Sequence, residues 1–252
     1  MRLMTRTLSC YTEHLIGSTD FFHIAGRGFA SGTLSVANRQ GANVTHILLA
    51  RHGETEWNAI RRVQGWTDIP LSAKGQAQAE ALADRLGRTR LDAVYSSDLS
   101  RAARTAAPSA ARHGLMVQTM PELREKGFGD WEGLNQADLE RDYPELWHRY
   151  HVARDLTALV PGGETWPQVQ ERLAAALRRI LAAHPDPEET VLLVGHGGSG
   201  RMLVLEALQA TLPTLLCLHL DNASLSRLDF HKASDSRVMF LNDTSHLEGL
   251  AQ

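Results

Sequence analysis

From residue 45 onward the chain alternates short apolar runs with longer amphipathic stretches. Apolar runs of roughly 4–8 residues between turn residues are typical of buried strands, and apolar spacings of about three and four residues are typical of helices. The pattern predicts strands at residues 45–50, 92–95, 115–119 and 190–194, followed by an antiparallel pair at 223–230 and 237–241. It predicts helices at residues 72–88, 99–113, 136–151 with a break at Pro144, 166–184 and 201–210.

This alternation predicts an α/β fold, a three-layer α/β/α sandwich whose central sheet is mostly parallel with an antiparallel edge strand. Residues 1–43 fall outside the pattern, because they are rich in Ser, Thr, Gly and Arg and lack apolar periodicity. We expect them to form a flexible N-terminal extension to a domain that spans residues 44–252. Residues 135–164 carry aromatic, histidine and arginine side chains, and we expect them to form a substrate cap.

Composition narrows the possible functions mainly by exclusion. With 252 residues and 43% hydrophobic side chains, the chain can bury a sizeable core. A formal net charge of −3 gives no general attraction to nucleic acid or anionic membrane. No run approaches the roughly 20 apolar residues of a transmembrane helix. Two cysteines, Cys10 and Cys217, are too few for a disulfide framework, so we expect a cytoplasmic protein.

Two histidines directly follow two of the predicted strands. The triplet Arg-His-Gly at residues 51–53 ends the first strand, and Gly-His-Gly at residues 195–197 ends the strand at 190–194. Open α/β sheets bind ligands at the carboxyl ends of their strands. We therefore interpret His52 as a nucleophile toward phosphorus and His196 as a group that stabilises the transferring phosphoryl charge. The alternatives are a capped strand end for the first triplet and a core histidine for the second.

Arg101 adds a cation at the start of the predicted helix 99–113. Either Ser97 or Asp98 would be the N-cap of this helix, because its side-chain oxygen can accept from the first free N–H groups. Arg101 would then lie in the first turn, where the helix dipole also favours a phosphate. The alternative is an exposed helix face, which is what we expect for Arg104.

Glu125 is the candidate acid, in a loop dense in glycine and aromatic residues. A carboxyl group that burial keeps neutral can protonate the leaving oxygen of a phosphate ester. The alternative is that Glu125 forms an ion pair with Arg124 or Lys126.

A metal hydrolase is disfavoured, since the chain has no His-x-His or His-Glu-x-x-His spacing. The glycine run at 197–200 lacks the lysine of a phosphate-binding P-loop.

Together, and in this order, these segments resemble the histidine phosphatase superfamily, the phosphoglycerate-mutase-like group. The resemblance runs from about residue 45 to the C-terminus and rests on Arg-His-Gly at 51–53, Gln-Gly at 64–65, Ser-Ser-Asp-Leu-Ser-Arg-Ala at 96–102, the segment 123–133 and Gly-His-Gly at 195–197. It implies a phosphohistidine on His52, and Glu125 as the group that protonates the leaving alcohol and then activates water. It implies a phosphate pocket formed by Arg51, Arg101 and His196, with further phosphate contacts from Thr55, Asn58, Gln64, Gly65 and Gly197. It implies no metal and no cofactor.

The resemblance favours a phosphatase over a mutase. The loop at residues 125–133 looks like the phosphatase version, and the basic, proline-rich insert of the mutases is missing before Gly163. We expect hydrolysis of small phosphorylated metabolites and no nucleic-acid or membrane partner. The sequence leaves the oligomeric state open, with a homodimer as the candidate assembly. The alternatives are a cofactor-dependent phosphoglycerate mutase and a phosphoprotein-binding module on the same fold. Glu164 is a second-rank site candidate, whereas His148 and His151 are expected at the surface.

Overall fold

The computed structural model describes residues 44–231 and 236–250. Within them, one sheet contains β1 (Val44–Arg51), β2 (Ala93–Ser96), β3 (Val117–Thr119), β4 (Thr190–Gly195), β5 (Leu225–His231) and β6 (Ser236–Asp243). The strand order is β3-β2-β4-β1-β5-β6, with the first four strands parallel and the last two antiparallel to their neighbours. The predicted sheet, mostly parallel with an antiparallel edge, is confirmed. The extension expected at residues 1–43 lies outside the described residues.

Seven α-helices connect these strands within the described ranges. They are α1 (Glu56–Ala59), α2 (Ala73–Leu86), α3 (Ser100–Arg112), α4 (Gln136–Asp142), α5 (Pro144–Trp147), α6 (Trp166–Ala183) and α7 (Gly197–Leu208). The stretch predicted as one helix broken at Pro144 consists of α4, α5 and a π-helical turn at His148–Val152. Short 3₁₀ turns occur at Pro121–Leu123, Gly129–Trp131, Leu212–Cys217 and Ser245–Leu247.

Helices cover both faces of the sheet. Successive side chains of a strand point to opposite faces. Ile47 and Leu49 of β1 pack in one cluster with α6 and α7, while Leu48 and Ala50 pack in another with α2 and α3. Burying one such leucine or isoleucine contributes about 1.5–3 kcal/mol. The three-layer sandwich is thus confirmed, and its parallel strands end at one edge of the core.

Helix α7 begins earlier than the sequence predicts, at Gly197 rather than at residue 201. Glycine is a poor helix former, so the run at 197–200 indicated a loop. In the fold, the N–H groups of Gly198 and Ser199 donate to the carboxylate of Glu125, at 2.7 and 3.0 Å. A helix N-terminus leaves such N–H groups without partners inside the helix, and this distant carboxylate satisfies two of them.

The predicted N-cap of α3 is wrong. Leu99 occupies the cap position without a side-chain cap bond, and Asp68 instead accepts from the Ser100 N–H at 2.8 Å. Neither Ser97 nor Asp98 is the N-cap residue of α3. The capping carboxylate comes from a residue 32 positions earlier, a contact that local sequence rules do not contain.

Residues 135–164 build a small cluster of their own around Trp131. Leu139 and Val160 are buried against this ring, and Phe128, Tyr143 and Tyr150 are among the partly buried side chains packed on it. The cluster therefore joins the segment expected as a cap to the loop that carries Glu125. That this segment covers a substrate stays a prediction.

Candidate active site

Two histidines meet at the carboxyl ends of β1 and β4. These strands pair in parallel, with Arg51 opposite Gly195, and the His52 N–H donates to the Gly195 carbonyl at 2.9 Å. The next residues along each strand, His52 and His196, therefore lie side by side, with ring centroids 5.1 Å apart and an interplanar angle of 61°. Their exposed fractions are only 3% and 0%. Both imidazoles are thus buried at a single edge of the sheet.

The tautomer of His52 is set by the backbone. Its Nδ1 lies 2.6 Å from the carbonyl oxygen of Gly53, which can only accept, so Nδ1 carries the proton. Burial lowers the pKa of His52 well below its usual value, and the positive charges of Arg51 and Arg101 lower it further. The ring is consequently neutral, with the lone pair on Nε2. A neutral imidazole held in one tautomer is suited to attack an electrophile.

His196 is held in the opposite tautomer. Arg101 Nε donates to His196 Nδ1 at 3.3 Å, so the proton of the neutral ring lies on Nε2. Burial, followed by the positive charge of Arg101, lowers the pKa of His196 well below its usual value. Its Nε2 is buried and has no hydrogen-bond partner among the described residues. An unsatisfied buried donor is uncommon and marks a position where a ligand oxygen would be bound.

The two arginines of the site are anchored by backbone carbonyl groups. Arg101 donates to Thr67 O at 2.8 Å and Gly65 O at 2.7 Å, and burial lowers its pKa to about 10. Arg51 donates to Leu220 O at 2.6 Å. The Nε of Arg51 is a second buried donor that lacks a partner in the described part of the chain. Both guanidinium groups stay charged at neutral pH and are pre-oriented for an anion.

Glu125 lies across the N-terminus of α7. One carboxylate oxygen accepts from Gly198 N, and the other accepts from Ser199 N and from Lys126 N at 2.9 Å. These three N–H donors hold the Glu125 side chain against the start of α7. A Cβ at position 198 would lie 2.4 Å from Glu125 Oε1, so this approach requires glycine there.

The alternative pairing of Glu125 with a neighbouring cation is not what the structure shows. Arg124 turns away and binds the carboxylate of Asp98 through two N–H groups, at 2.8 and 2.5 Å. Only the backbone N–H of Lys126, not its ammonium group, contacts the Glu125 carboxylate. Arg104 is exposed, as expected, whereas Arg101 is 1% exposed.

These groups line one cavity of about 340 Å³. The cavity contains nine of the ten predicted site residues: Arg51, His52, Asn58, Gln64, Gly65, Arg101, Glu125, His196 and Gly197. Thr55 is the exception, because its hydroxyl caps α1 by accepting from Asn58 N at 3.1 Å and is fully buried there. Thr55 is therefore the N-cap of α1 and positions Asn58.

Sequence reasoning missed several residues of the cavity wall. Arg62, Phe128, Arg201 and His219 also line it. Arg62 follows the α1 turn and donates to the Gly133 carbonyl, and Arg201 lies one helical turn after Gly197 and donates to its carbonyl at 3.1 Å. Arg62 could have been predicted as a site residue, because it lies two residues before the Gln-Gly turn at 64–65. His219 had none, since it follows a 3₁₀ turn far along the chain.

Two acidic residues near the site are structural supports. Glu132 accepts from the backbone N–H groups of Trp66, Thr67 and Phe128, at 2.9, 2.8 and 3.0 Å, which orders the turn after Gly65. Glu164, a second-rank candidate in the sequence, accepts from Gly127 N at 2.8 Å and pairs with Arg172. Within the described residues, Glu125 is therefore the one carboxylate among the side chains that line the cavity.

The arrangement can transfer a phosphoryl group. It offers a neutral nucleophilic nitrogen, a neighbouring N–H donor, two anchored guanidinium groups and a carboxylate, all at one cavity. Among residues 44–231 and 236–250, no group of three or more His, Cys, Asp or Glu side chains has the spacing of a metal site. No helix in these ranges is both long and apolar enough to cross a membrane.

Comparison with known proteins agrees with this chemistry. The family model of the histidine phosphatase superfamily (branch 1) matches residues 47–244. A mycobacterial glucosyl-3-phosphoglycerate phosphatase, solved in complex with VO3, is similar with a TM-score of 0.73 and 32% identity, over 79% of this chain and 99% of that one. A putative alpha-ribazole-5'-P phosphatase from Escherichia coli K-12 has a TM-score of 0.73 and 28% identity, over 80% and 97% of the two chains.

A similar sequence is also found among proteins named as mutases. A probable phosphoglycerate mutase GpmB from Escherichia fergusonii is 36% identical over 209 residues, which cover 81% of this chain and 96% of that protein. The solved neighbours named above carry the names of phosphatases. The chain belongs to the histidine phosphatase superfamily, and within it to the phosphatases.

Proposed function

We propose that this phosphatase hydrolyses phosphomonoesters without a metal ion, through a covalent phosphohistidine on His52. One observation carries the proposal. The ring of His52, with its lone pair on Nε2, lies 5.1 Å from the ring of His196, whose Nε2–H has no partner among the described residues, and both line a cavity rich in arginine. A nucleophile and a donor for the phosphoryl oxygens are thereby held ready before substrate binds. Such preorganised donors stabilise the charge of a transferring phosphoryl group.

In the first step, His52 Nε2 attacks phosphorus, and a P–N bond forms as the P–O bond to the leaving group breaks. Arg51, Arg101 and the His196 N–H bind the phosphoryl oxygens. Glu125 donates a proton to the leaving oxygen. This step requires Glu125 to be protonated when the ester binds. The products are an alcohol and phosphohistidine.

In the second step, water attacks the phosphorus of the phosphohistidine. Glu125, now a carboxylate that the α7 N-terminus stabilises, accepts a proton from this water. The P–N bond breaks, and its electron pair returns to His52 Nε2 as inorganic phosphate leaves. One residue thus acts first as an acid and then as a base, which regenerates the starting protonation state.

The test is hydrolysis of p-nitrophenyl phosphate in the presence of EDTA, combined with rapid quenching after addition of a ³²P-labelled ester. We expect phosphate release that EDTA does not reduce, and an alkali-stable, acid-labile label on the peptide that contains His52. The matched control is His148→Ala, at an exposed histidine that does not line the cavity. Labelling in this control and none in His52→Ala supports the proposal. Full turnover with no label on His52 overturns it.

The similarity to a probable phosphoglycerate mutase makes isomerisation the second candidate. Incubation with 3-phosphoglycerate, with and without 2,3-bisphosphoglycerate, distinguishes the two. Release of inorganic phosphate supports hydrolysis. Formation of 2-phosphoglycerate without release, dependent on the bisphosphate, identifies a mutase that shields its phosphohistidine from water.

The substrate that we propose is a small phosphorylated metabolite. Beyond the phosphate-binding groups, Arg62, Arg201 and His219 line the cavity and favour a leaving group with anionic or hydroxyl substituents. The named activities of the similar structures, toward glucosyl-3-phosphoglycerate and alpha-ribazole-5'-phosphate, define the first esters to be compared. A kcat/KM at least about tenfold higher for such an ester than for p-nitrophenyl phosphate would identify the class, since it corresponds to about 1.4 kcal/mol of extra transition-state binding.

A further inference from the structure

Lys126 is a buried cation that the proposed mechanism does not use. The chain contains three lysines, at positions 74, 126 and 232, against a much larger number of arginines. Lys126 is 0% exposed. Lysine is almost never fully buried without a partner, because removing an ammonium group from water is costly. Because Lys126 directly follows Glu125, we asked whether its burial serves the active site.

The ammonium group of Lys126 is held by aromatic rings instead of by a carboxylate. Its Nζ lies 4.4 Å from the ring centroid of Phe128, 5.3 Å from that of Tyr150 and 6.0 Å from that of Trp166. The one hydrogen bond that its ammonium group forms within the described ranges is long, 3.5 Å to the Gly127 carbonyl. Within the described residues, no acidic side chain forms a salt bridge with it. A desolvated cation is attracted to the faces of aromatic rings at such distances.

The three rings belong to three parts of the site. Phe128 lines the cavity, Tyr150 belongs to the segment expected as a cap, and Trp166 begins α6. The Trp166 ring also approaches the α7 N-terminus, since a Cβ at Gly198 would lie 2.6 Å from it. The backbone N–H of Lys126 meanwhile donates to Glu125. Lys126 therefore connects the loop that carries Glu125, the segment expected as a cap, and the starts of α6 and α7.

The groups that face this ammonium are mainly negative or neutral. Glu125 lies on its own loop, Glu132 follows the 3₁₀ turn at Gly129–Trp131, and Glu164 precedes α6. Tyr150 faces it from the cap segment, and burial raises the pKa of Tyr150, which therefore stays neutral. Burial lowers the pKa of Lys126 to about 8, although the three carboxylates oppose this shift. Its charge is thus lost within the range where enzymes are assayed.

We propose that Lys126 is a positioning residue, whose charge holds Phe128 and Tyr150 in the arrangement that presents Glu125 to the leaving group. The proposal rests on the role assigned to Glu125 under the proposed function. A neutral amine loses its attraction to the ring faces, which releases the cavity wall and the cap segment together. An apolar side chain of similar length would fill the same space without this dependence on protonation.

The test compares Lys126→Met with the wild type and with Lys74→Met. Lys74 is a matched control, because its side chain is 41% exposed and pairs with Glu54 outside the cavity wall. Turnover of an alkyl phosphate is measured from pH 6 to 10. We expect wild-type kcat to fall with a midpoint near pH 8, Lys126→Met to be about tenfold slower at pH 7 without this fall, and the two curves to converge above pH 9. Lys74→Met should follow the wild type.

A second measurement does not depend on turnover. With ¹³C-labelled lysine the protein gives three lysine signals, and Lys126→Met identifies one of them by its loss. We expect that signal to titrate near pH 8 in the wild type and in His52→Ala, and we expect Lys126→Met to keep at least the wild-type Tm.

Three outcomes are distinguishable. Parallel pH profiles of Lys126→Met and wild type, or titration of Lys126 at an ordinary lysine pKa of about 10.4, overturn the positioning role. If His52→Ala is inactive at the same time, the proposed function survives. If His52→Ala hydrolyses the ester at the wild-type rate, it is the proposed function that fails.

Discussion

The two ends of the central sheet each bury a pair of histidines, and the pairs are built differently. At the amino end, His46 has Asp229 Oδ1 2.9 Å from Nδ1 and Glu188 Oε2 3.1 Å from Nε2. His184 lies 3.1 Å from Glu189 Oε1 and 3.1 Å from the hydroxyl group of Tyr95. Every ring nitrogen at this end therefore has a polar partner.

At the carboxyl end, His52 and His196 have arginines as neighbours, and each leaves Nε2 without a protein partner in the described structure. The residue type is the same at both ends, and burial differs modestly, since the His46 side chain is 12% exposed and His184 is 9% exposed, against 3% and 0% at His52 and His196. The larger difference is whether the polar atoms are satisfied. Satisfied histidines stabilise the fold, whereas unsatisfied ones reserve their hydrogen-bonding capacity for a ligand.

The strongest test of this difference is to remove one histidine from each end of the sheet. His52→Ala should lower kcat by about 10⁴-fold or more, because the nucleophile is lost and other groups cannot replace it. His46→Ala should leave kcat unchanged and lower the free energy of unfolding by about 1 kcal/mol. Steady-state kinetics and urea denaturation of both variants provide the measurement. A large loss of kcat in folded His46→Ala would contradict the division between the two ends.

The role of Glu125 predicts an effect that depends on the leaving group. Glu125→Gln keeps the shape of the side chain but removes the proton donor. Turnover of an alkyl phosphate should fall by about 10²–10⁴-fold, and that of p-nitrophenyl phosphate by less than about tenfold, since nitrophenolate leaves without protonation. Equal losses on both esters would show that Glu125 positions the substrate but does not transfer a proton.

Sequence reasoning found the fold and most of the cavity for a physical reason. His52 and His196 each follow a buried strand and have a glycine next to them, and in a mostly parallel sheet such strand ends meet at one edge. The register that sets Arg51 opposite Gly195 is a property of the paired strands and could not be read from either one alone. Position along a strand was therefore predictable, while contact between strands was not.

The two errors at helix starts have the same origin. The cap of α3 comes from Asp68, and the start of α7 depends on Glu125, both far away along the chain. Local propensity rules contain neither contact. The hydroxyl of Thr55 looked like a phosphate ligand, but it caps α1. Arg201 lines the cavity from the first turns of α7, a helix whose start the sequence placed too late. His219 is brought to the cavity by a loop, and a loop path is fixed by tertiary packing.

A smaller effect is expected on stability in acid. Burial and nearby arginines lower the pKa of both His52 and His196, so the unfolded chain binds protons near pH 6.5 that the folded chain does not. Stability should consequently fall as the pH drops below 6.5, by up to about 1.4 kcal/mol per pH unit for each histidine. Tm measured at pH 7.5, 6.5 and 5.5 should fall less in His196→Asn, which cannot titrate there. An identical acid dependence in the two proteins would contradict a neutral His196.

The smallest expected effect concerns the amino end alone. Tyr95→Phe removes the hydroxyl group that lies 3.1 Å from His184 Nε2, and it leaves the His184–Glu189 contact in place. Because Tyr95 is only 8% exposed, the cost should be about 1 kcal/mol in the free energy of unfolding, measured by urea denaturation, with kcat and KM unchanged. Tyr95 pairs with Leu193 of β4, the strand that leads to His196. A change in kcat without a change in stability would therefore show that β4 transmits strain between the ends, and that the two pairs of histidines are not independent.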